Sequence, residues 1–367
     1  MFARLKIYLK NFDWILFAPV LLLVCLGLAE IYSIGLSQEE ASLQNFKKQI
    51  IAVAIGLVLM FVFSFLDYRD LRGLSIYFYI LGVIILVSVL FFGSTIRGTK
   101  GWFSLAGFGF QPVEAIKVIL ILFLARYFSE SSFIHRPLKH LIISGSGALV
   151  LVILVLFQPD LGSALILCLV WLAMVIAAGL NKRYLFILAV MAVLIVSLSW
   201  SFYLKPYQKE RISTFLNPSF DPLNQGYNVA QAVIAVGAGG LTGRGIGFGS
   251  QSQLKFLPES HTDFIFAVLA EELGLLGVSL LLLGFMVFFY RLLWRLRNIH
   301  DDFGIFFIYG GAALIFIEMF VNISMNIGML PVVGISLPFL SYGGSGLITN
   351  FILVGMMESI IIRSKTK

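Results

Sequence analysis

The chain has 367 residues, 59% of them hydrophobic and 12% charged, with a formal net charge of +7 and a mean hydropathy of +0.97. A soluble domain sits nearer to roughly 45–50% apolar and about 25% charged, so that class is excluded. The apolar residues fall in blocks of roughly 20, enough to cross a hydrocarbon core of about 30 Å, and not in the short alternating segments of an outer-membrane barrel.

In chain order these blocks predict about ten spans, near 14–36, 47–66, 74–93, 112–128, 140–157, 162–180, 184–204, 263–290, 303–327 and 345–362. The expected fold is an all-α polytopic membrane protein, one integral membrane domain over 1–367, with a large outer loop at about 205–262 before the eighth span. The first block follows Arg4, Lys6 and Lys10, as a signal peptide would. It is longer than a secretory apolar region and has no convincing cleavage site, so it reads as a retained first helix. Even parity puts both termini on one side. Arg69, Arg72, Arg126, Arg136, Lys139, Lys182, Arg183, Arg291, Arg295 and Arg297 all fall on that side, which the positive-inside rule makes cytoplasmic; Lys47 and Lys48 are the exception. Topology therefore accounts for the basic charge without nucleic acid. Cys25 and Cys168 lie inside apolar blocks and form no readable disulfide framework or Cys-rich metal site.

The outer face receives the informative loops: 94–111 with Arg97, Lys100 and Trp102, the Gln158-Pro159-Asp160 turn, the large loop, and the Pro/Gly-rich stretch 328–344. Glu114 and Lys117 open the fourth span at i, i+3, where they can pair to lock the helix, or leave Lys117 to meet an anionic ligand. Asp160 occupies a capping position at the start of the sixth span, equally readable as cap or site. In the large loop, Arg211 beside Lys205 and Lys209 is a candidate phosphate contact. The seven glycines between Gly237 and Gly249 lack a Walker Gly-Lys-Ser/Thr, so they are expected to permit a re-entrant or closely packed backbone instead of binding a nucleotide.

The stretch from Lys255 to Gly274 concentrates Glu259, His261 and Asp263 beside an apolar run. Pro258 should stop any helix upstream, and Thr262 or Asp263 could cap the one that follows. A carboxylate there feels the positive end of the helix dipole and is favoured as an ion, giving an orientable base at the membrane boundary. A plain helix cap is the simpler alternative. Glu318, Asn322 and Asn326 recur every four residues as a polar stripe, best explained by hydrogen bonds between helices. Ser341-Tyr342-Gly343-Gly344-Ser345 reads as close packing or as a loop lining a site. There is no strong internal repeat of the kind that marks an inverted-repeat transporter.

Strings along nearly the whole chain resemble the SEDS family of polytopic peptidoglycan glycosyltransferases. They are R-G-T-K-G-W-F at 97–103, F-Q-P-V-E-A-I-K at 110–117, Q-P-D-L-G-S-A at 158–164, F-L-N-P-S-F-D-P-L-N-Q-G-Y at 215–227, G-A-G-G-L-T-G-R-G at 237–245, F-L-P-E-S-H-T-D-F-I-F at 256–266, A-E-E-L-G at 270–274, N-I-G-M-L-P-V-V-G at 326–334 and L-S-Y-G-G-S-G at 340–346. Q-S-Q-L-K-F-L-P-E looks more like the elongation branch, RodA, than the division branch, FtsW. Lys255 replaces the usual Glu of that pattern, and Lys100-Gly101-Trp102 replaces the usual Arg-Trp of the first outer motif.

The resemblance implies a transferase that polymerises lipid II into β-1,4 glycan strands on the outer face of the cytoplasmic membrane. Asp263 matches the family's essential Asp, the proposed general base. Lys117 and Arg211 become the candidates for leaving-group contact, with Glu114, Trp102, Asp160, Glu259, His261 and Ser341 as further substrate-binding candidates. A divalent cation, Mg or Mn, is the candidate cofactor; no Asp-x-Asp for nucleotide-sugar donors is present. The implied partners are a class B penicillin-binding protein and other proteins of the elongation complex. The rival readings are a lipid II flippase and a non-catalytic scaffold of the wall-synthesis complex.

Overall fold

The computed structural model describes residues 8, 10–36, 43–96, 98–105, 108–131, 136–202, 209–210, 213–215, 225–254 and 256–365. Among the described residues, seven long helices come first: α1 (Trp14–Leu36), α2 (Gln44–Phe65), α3 (Tyr68–Phe92), α4 (Pro112–Ser129), α5 (Pro137–Phe157), α6 (Leu161–Ala177) and α7 (Lys182–Phe202). Two shorter helices follow in the large loop, α8 (Gln225–Ala238) and α9 (Ser250–Gln253), and three close the chain, α10 (Ile265–Leu296), α11 (Asp302–Asn326) and α12 (Gly344–Ser364). The first seven and last three overlap the segments expected from hydropathy, with ends that differ by several residues. Among the described residues, seven helices are long and apolar enough to cross a membrane, namely α1, α2, α3, α5, α10, α11 and α12. The protein is a helical membrane protein.

Several boundaries have a local cause. Asp67 caps α3 by accepting from the Arg69 N–H at 3.0 Å, and Asp301 caps α11 by accepting from the Gly304 N–H at 3.2 Å. Pro112 opens α4, where its missing N–H leaves no helical bond unmade. α12 is the central helix: 83% of its apolar window is buried. It packs along α2, where a Cβ on Gly355 would strike the Met60 backbone and one on Gly56 would strike the Phe351 ring. α11 packs on α4 and α6, and α10 on α1.

The 94–111 loop holds the only β-strands among the described residues. Strands β1 (Ser94–Ile96), β2 (Thr99–Leu105) and β3 (Phe108–Phe110) form an antiparallel sheet in that order, with Ser94 opposite Trp102 and Phe103 opposite Phe110.

The glycine-rich segment after α8 packs its backbone against a break in α10. Gly274 has φ 63° and ψ −159°, which interrupts the helical ladder. The loop repairs that interruption in both directions. Arg244 and Gly245 donate their N–H groups to the carbonyls of Glu271 and Glu272 at 3.0 and 2.9 Å, while Leu275 and Leu276 donate to Gly240 and Leu241 at 2.9 and 3.1 Å. Broken helices within apolar surroundings need such replacement bonds. Side chains are excluded at the crossing: a Cβ on Gly239, Gly243 or Gly274 would collide with the opposing backbone. The expectation of a closely packed glycine backbone is met here.

At the end of the bundle where α1 begins and α12 ends, the buried Asp13 carboxylate accepts from Arg291 at 3.0 Å and pairs with Arg295. The Asp13 N–H donates to Glu358 at 3.2 Å, and Lys365 donates to the Asn11 carbonyl at 2.6 Å.

Candidate functional site

At the opposite end, the sheet, the 158–160 turn, residues 262–263 and the segment 333–347 surround a cavity of about 510 Å³. Among the described residues its charged lining consists of Glu114, Lys117, Asp160 and Asp263, joined by Trp102 and Ser341. Six of the nine residues singled out from sequence therefore meet in one place, although they span 240 positions of chain.

Asp263 lies one residue before Phe264, the residue that opens α10. The N-cap position falls on Phe264 and not on Thr262 or Asp263, contrary to the expectation from local sequence, and the Phe264 side chain makes no cap bond. The cap comes from another helix: Asn326 Oδ1 accepts from the Ala267 N–H at 3.2 Å. The backbone carbonyl of Asp263 is turned toward α11, where the side-chain amides of Asn322 and Asn326 both donate to it at 3.0 Å. Asn322 donates also to the Ile335 carbonyl at 2.7 Å, tying this junction to the opposite cavity wall. On that wall Gly334 has φ +75°, and a Cβ placed on it would lie 3.6 Å from Asp263 Oδ2. The carboxylate is thus seated against backbone that carries no side chain.

Lys117 is buried between two carboxylates. Its Nζ lies 2.9 Å from Glu114 and 2.5 Å from Glu318. The first contact is the i, i+3 pair foreseen on α4; the second comes from the polar stripe of α11. All three stripe residues therefore bond across helices, with Glu318 on the cation and both asparagines on the Asp263 junction. A lone buried ammonium would carry a large desolvation cost, which these contacts offset.

Asp160 caps α6 as expected, accepting from the Ser163 N–H at 2.9 Å and its hydroxyl at 2.8 Å. It accepts as well from the Gln111 amide at 3.3 Å, which links the 158–160 turn to the start of α4. Trp102 sits on the central strand of the sheet. Ser341 bridges two walls by donating to the Thr262 carbonyl at 2.7 Å and accepting from the Leu337 N–H at 2.8 Å.

Glu259 and His261 lie behind the cavity. Glu259 has φ +54°, and its carbonyl and carboxylate accept from Thr262 at 3.1 and 3.2 Å. The His261 carbonyl accepts from the Tyr342 N–H at 2.8 Å, and its ring meets that of Tyr342 edge-on. Burial pushes the Tyr342 hydroxyl up, so it stays protonated at neutral pH. Arg211, with Arg97, Lys205 and Lys255, lies outside the described residues.

One residue escaped the sequence reading. Gln49, buried on α2, donates to the Ser341 carbonyl at 3.1 Å and accepts from the Gly343 N–H at 3.2 Å, holding the turn beside the site. A lone amide in an apolar span was the available signal.

Comparison with known proteins supplies the context for this cavity. The profile described as "Cell cycle protein", covering FtsW, RodA and SpoVE, matches residues 13–366. Peptidoglycan glycosyltransferase MrdB of Escherichia coli is 39% identical over 349 residues, 93% of this chain and 92% of that protein. A Geobacter protein named probable peptidoglycan glycosyltransferase FtsW is 33% identical over 368 residues, 97% of this chain and 98% of its own. Among solved structures, a chain from work on coordination of polymerization and crosslinking by a peptidoglycan synthase complex aligns with a TM-score of 0.82 and 31% identity, covering 97% of this chain and 99% of that one. Rod shape determining protein RodA of Thermus thermophilus aligns with a TM-score of 0.72 and 28% identity, covering 95% of this chain and 96% of that one.

Proposed function

The chain belongs to the FtsW/RodA/SpoVE family of cell cycle proteins, and on that premise we propose that its outer cavity polymerises lipid II with Asp263 as general base. The protein is a RodA-like peptidoglycan glycosyltransferase of the SEDS type, acting in cell elongation and shape. The observation that carries the mechanistic reading is the meeting of a carboxylate, Asp263, and a cation, Lys117, in one cavity of about 510 Å³.

In this reading the 4-hydroxyl of the acceptor sugar gives its proton to the Asp263 carboxylate as its oxygen attacks C1 of the donor. The bond from C1 to the lipid diphosphate breaks in the same displacement, which inverts an α-linked donor to a β-1,4 product. The leaving diphosphate is already stable, so the protein's task is to balance its charge. Lys117 is the cation at hand, and the diphosphate competes with Glu114 and Glu318 for it. Arg211 is a second cation for that role. Trp102, Glu114, Asp160 and Ser341 contact sugar or diphosphate, while Glu259 and His261 support the Asp263 turn from behind.

No group of three or more His, Cys, Asp or Glu side chains among the described residues is arranged to hold a metal. A Mg or Mn ion would be held by one or two cavity carboxylates, Asp263 and Asp160, with diphosphate oxygens and water completing its shell, and would add positive charge beside the leaving group.

The implied arrangement has both termini in the cytoplasm, the cavity facing outward, and a class B penicillin-binding protein crosslinking the strands alongside other elongation-complex proteins. The similarity to a synthase-complex chain supports the partner, and the basic residues of the connections support the orientation. Purified protein with that partner, given lipid II in vesicles, tests the reading. It should yield polymeric glycan. Lipid II moving across the bilayer with no polymer formed would make the protein a transporter instead.

A further inference from the structure

We infer that Glu30, in the last third of α1, is a proton-binding site: it carries a proton and shares it with Glu272 in a buried acid–carboxylate hydrogen bond that fastens α1 to the broken helix α10. Glu30 is fully buried, and neither of its side-chain oxygens has a hydrogen-bond partner among the described residues. One turn further along α1 the Ser33 hydroxyl lies 2.7 Å from both carboxyl oxygens of Glu272, which brings that fully buried group against Glu30. Two carboxylates cannot both stay ionised in contact within an apolar interior, since neither then has a donor for the other and their charges repel. One proton between them removes the repulsion and supplies the missing donor.

The surroundings say which group keeps the proton. Glu272 is ringed by donors: the Ser33 hydroxyl at 2.7 Å from each oxygen, the Gly247 N–H at 3.1 Å, the Gln253 amide at 3.2 Å and the Ser252 hydroxyl at 3.4 Å. Each of these contacts uses a Glu272 oxygen as the acceptor. Its neighbour Glu271 is built the same way, accepting from the N–H groups of Gln251 and Ser252 at 2.9 and 3.2 Å and from the Ser250 hydroxyl at 3.2 Å. Arg244 bonds to Ser250 and not to either carboxyl of the pair. Glu30 has no donor of its own, so it is the acid. With the Ser33 hydroxyl, its O–H ties α1 to the segment where the glycine-rich loop repairs the ladder of α10, the helix that begins just after Asp263.

The test uses the full-length protein in lipid nanodiscs. Infrared difference spectra of the parent minus Glu30→Gln should contain the carbonyl band of a protonated carboxylic acid, shifting in heavy water. Glu30→Gln should melt with the parent and keep its glycan output, because the Gln amide N–H replaces the lost donor. Glu272→Gln should melt lower, because it sets an amide N–H against four donors. No acid band in the difference spectrum, or Glu272→Gln as the tolerated change and Glu30→Gln as the damaging one, would overturn the assignment. So would a melting temperature raised by sodium over choline in the parent and not in Glu30→Gln, which would make the occupant a metal cation. Should Glu30→Gln fail to fold, Glu30→Asp gives the same readout, since an acid band unmoved by that change cannot come from residue 30.

Discussion

The Asn326 side chain holds Asp263 from a different helix: its amide donates to the Asp263 carbonyl at 3.0 Å while its oxygen takes the Ala267 N–H at 3.2 Å. One buried amide thus fixes the backbone of the candidate base and caps the helix that follows it. Replacing Asn326 by Ala leaves the Ala267 N–H without its acceptor, at a cost of about 1–3 kcal/mol for a buried group, and leaves the Asp263 carbonyl to Asn322 alone. The larger effect expected is on rate, since a base displaced by about 1 Å loses on the order of 100-fold. Polymerisation kinetics should show kcat falling with KM little changed in protein that remains monodisperse. An unaltered kcat would remove Asn326 from the positioning of Asp263.

The Lys117 cluster should respond non-additively. Lys117→Met leaves Glu318 buried beside no cation, a loss of about 3–5 kcal/mol for a broken buried pair. Adding Glu318→Gln removes the stranded charge, so the double variant should melt above Lys117→Met alone. Simple additivity of the two melting shifts would show that the contacts at 2.9 and 2.5 Å do not act as one unit.

Gly274 is the joint on which α10 and the glycine-rich loop meet. Its φ of 63° and ψ of −159° suit glycine alone, and a Cβ would strike the Gly243 backbone. Gly274→Ala should cost at least about 1–3 kcal/mol of stability and expose residues 239–249 to protease. A variant as stable and as resistant as the parent would contradict the close backbone crossing.

Asp13 gives a pH signature at the other end of the bundle. Burial pushes its carboxyl up, but the hydrogen bonds and charges of Arg295 and Arg291 outweigh burial and hold it below its ordinary value. A folded-state pKa below the unfolded one contributes stability that is complete above the unfolded value of about 3.9 and is lost as pH falls through the folded value. The melting difference between the parent and Asp13→Asn should therefore stay constant from neutral pH down to about 4 and close below it. A gap that widened on acidification would reverse the sign and refute the pairing.

Hydropathy placed the helices because it is a property of local sequence. The paired Glu114 and Lys117 and the cap at Asp160 were legible for the same reason, each being set within four residues. What stayed hidden depends on contacts far apart in the chain. Nothing near Asp263 announces that Asn326, 63 positions away, holds its carbonyl. The pairing of Ser94 with Trp102 sits in a loop too short and too mixed for strand alternation to stand out. Likewise the break at Gly274 looks like one more glycine in an apolar run until the loop at 239–245 is seen to repair it.

The most direct test of the central claim compares lipid II polymerisation by the parent and by Asp263→Asn, each purified with its partner and matched for folding and partner binding. The parent should produce glycan strands and the variant almost none. Equal product from both would contradict the assignment of Asp263 as the base.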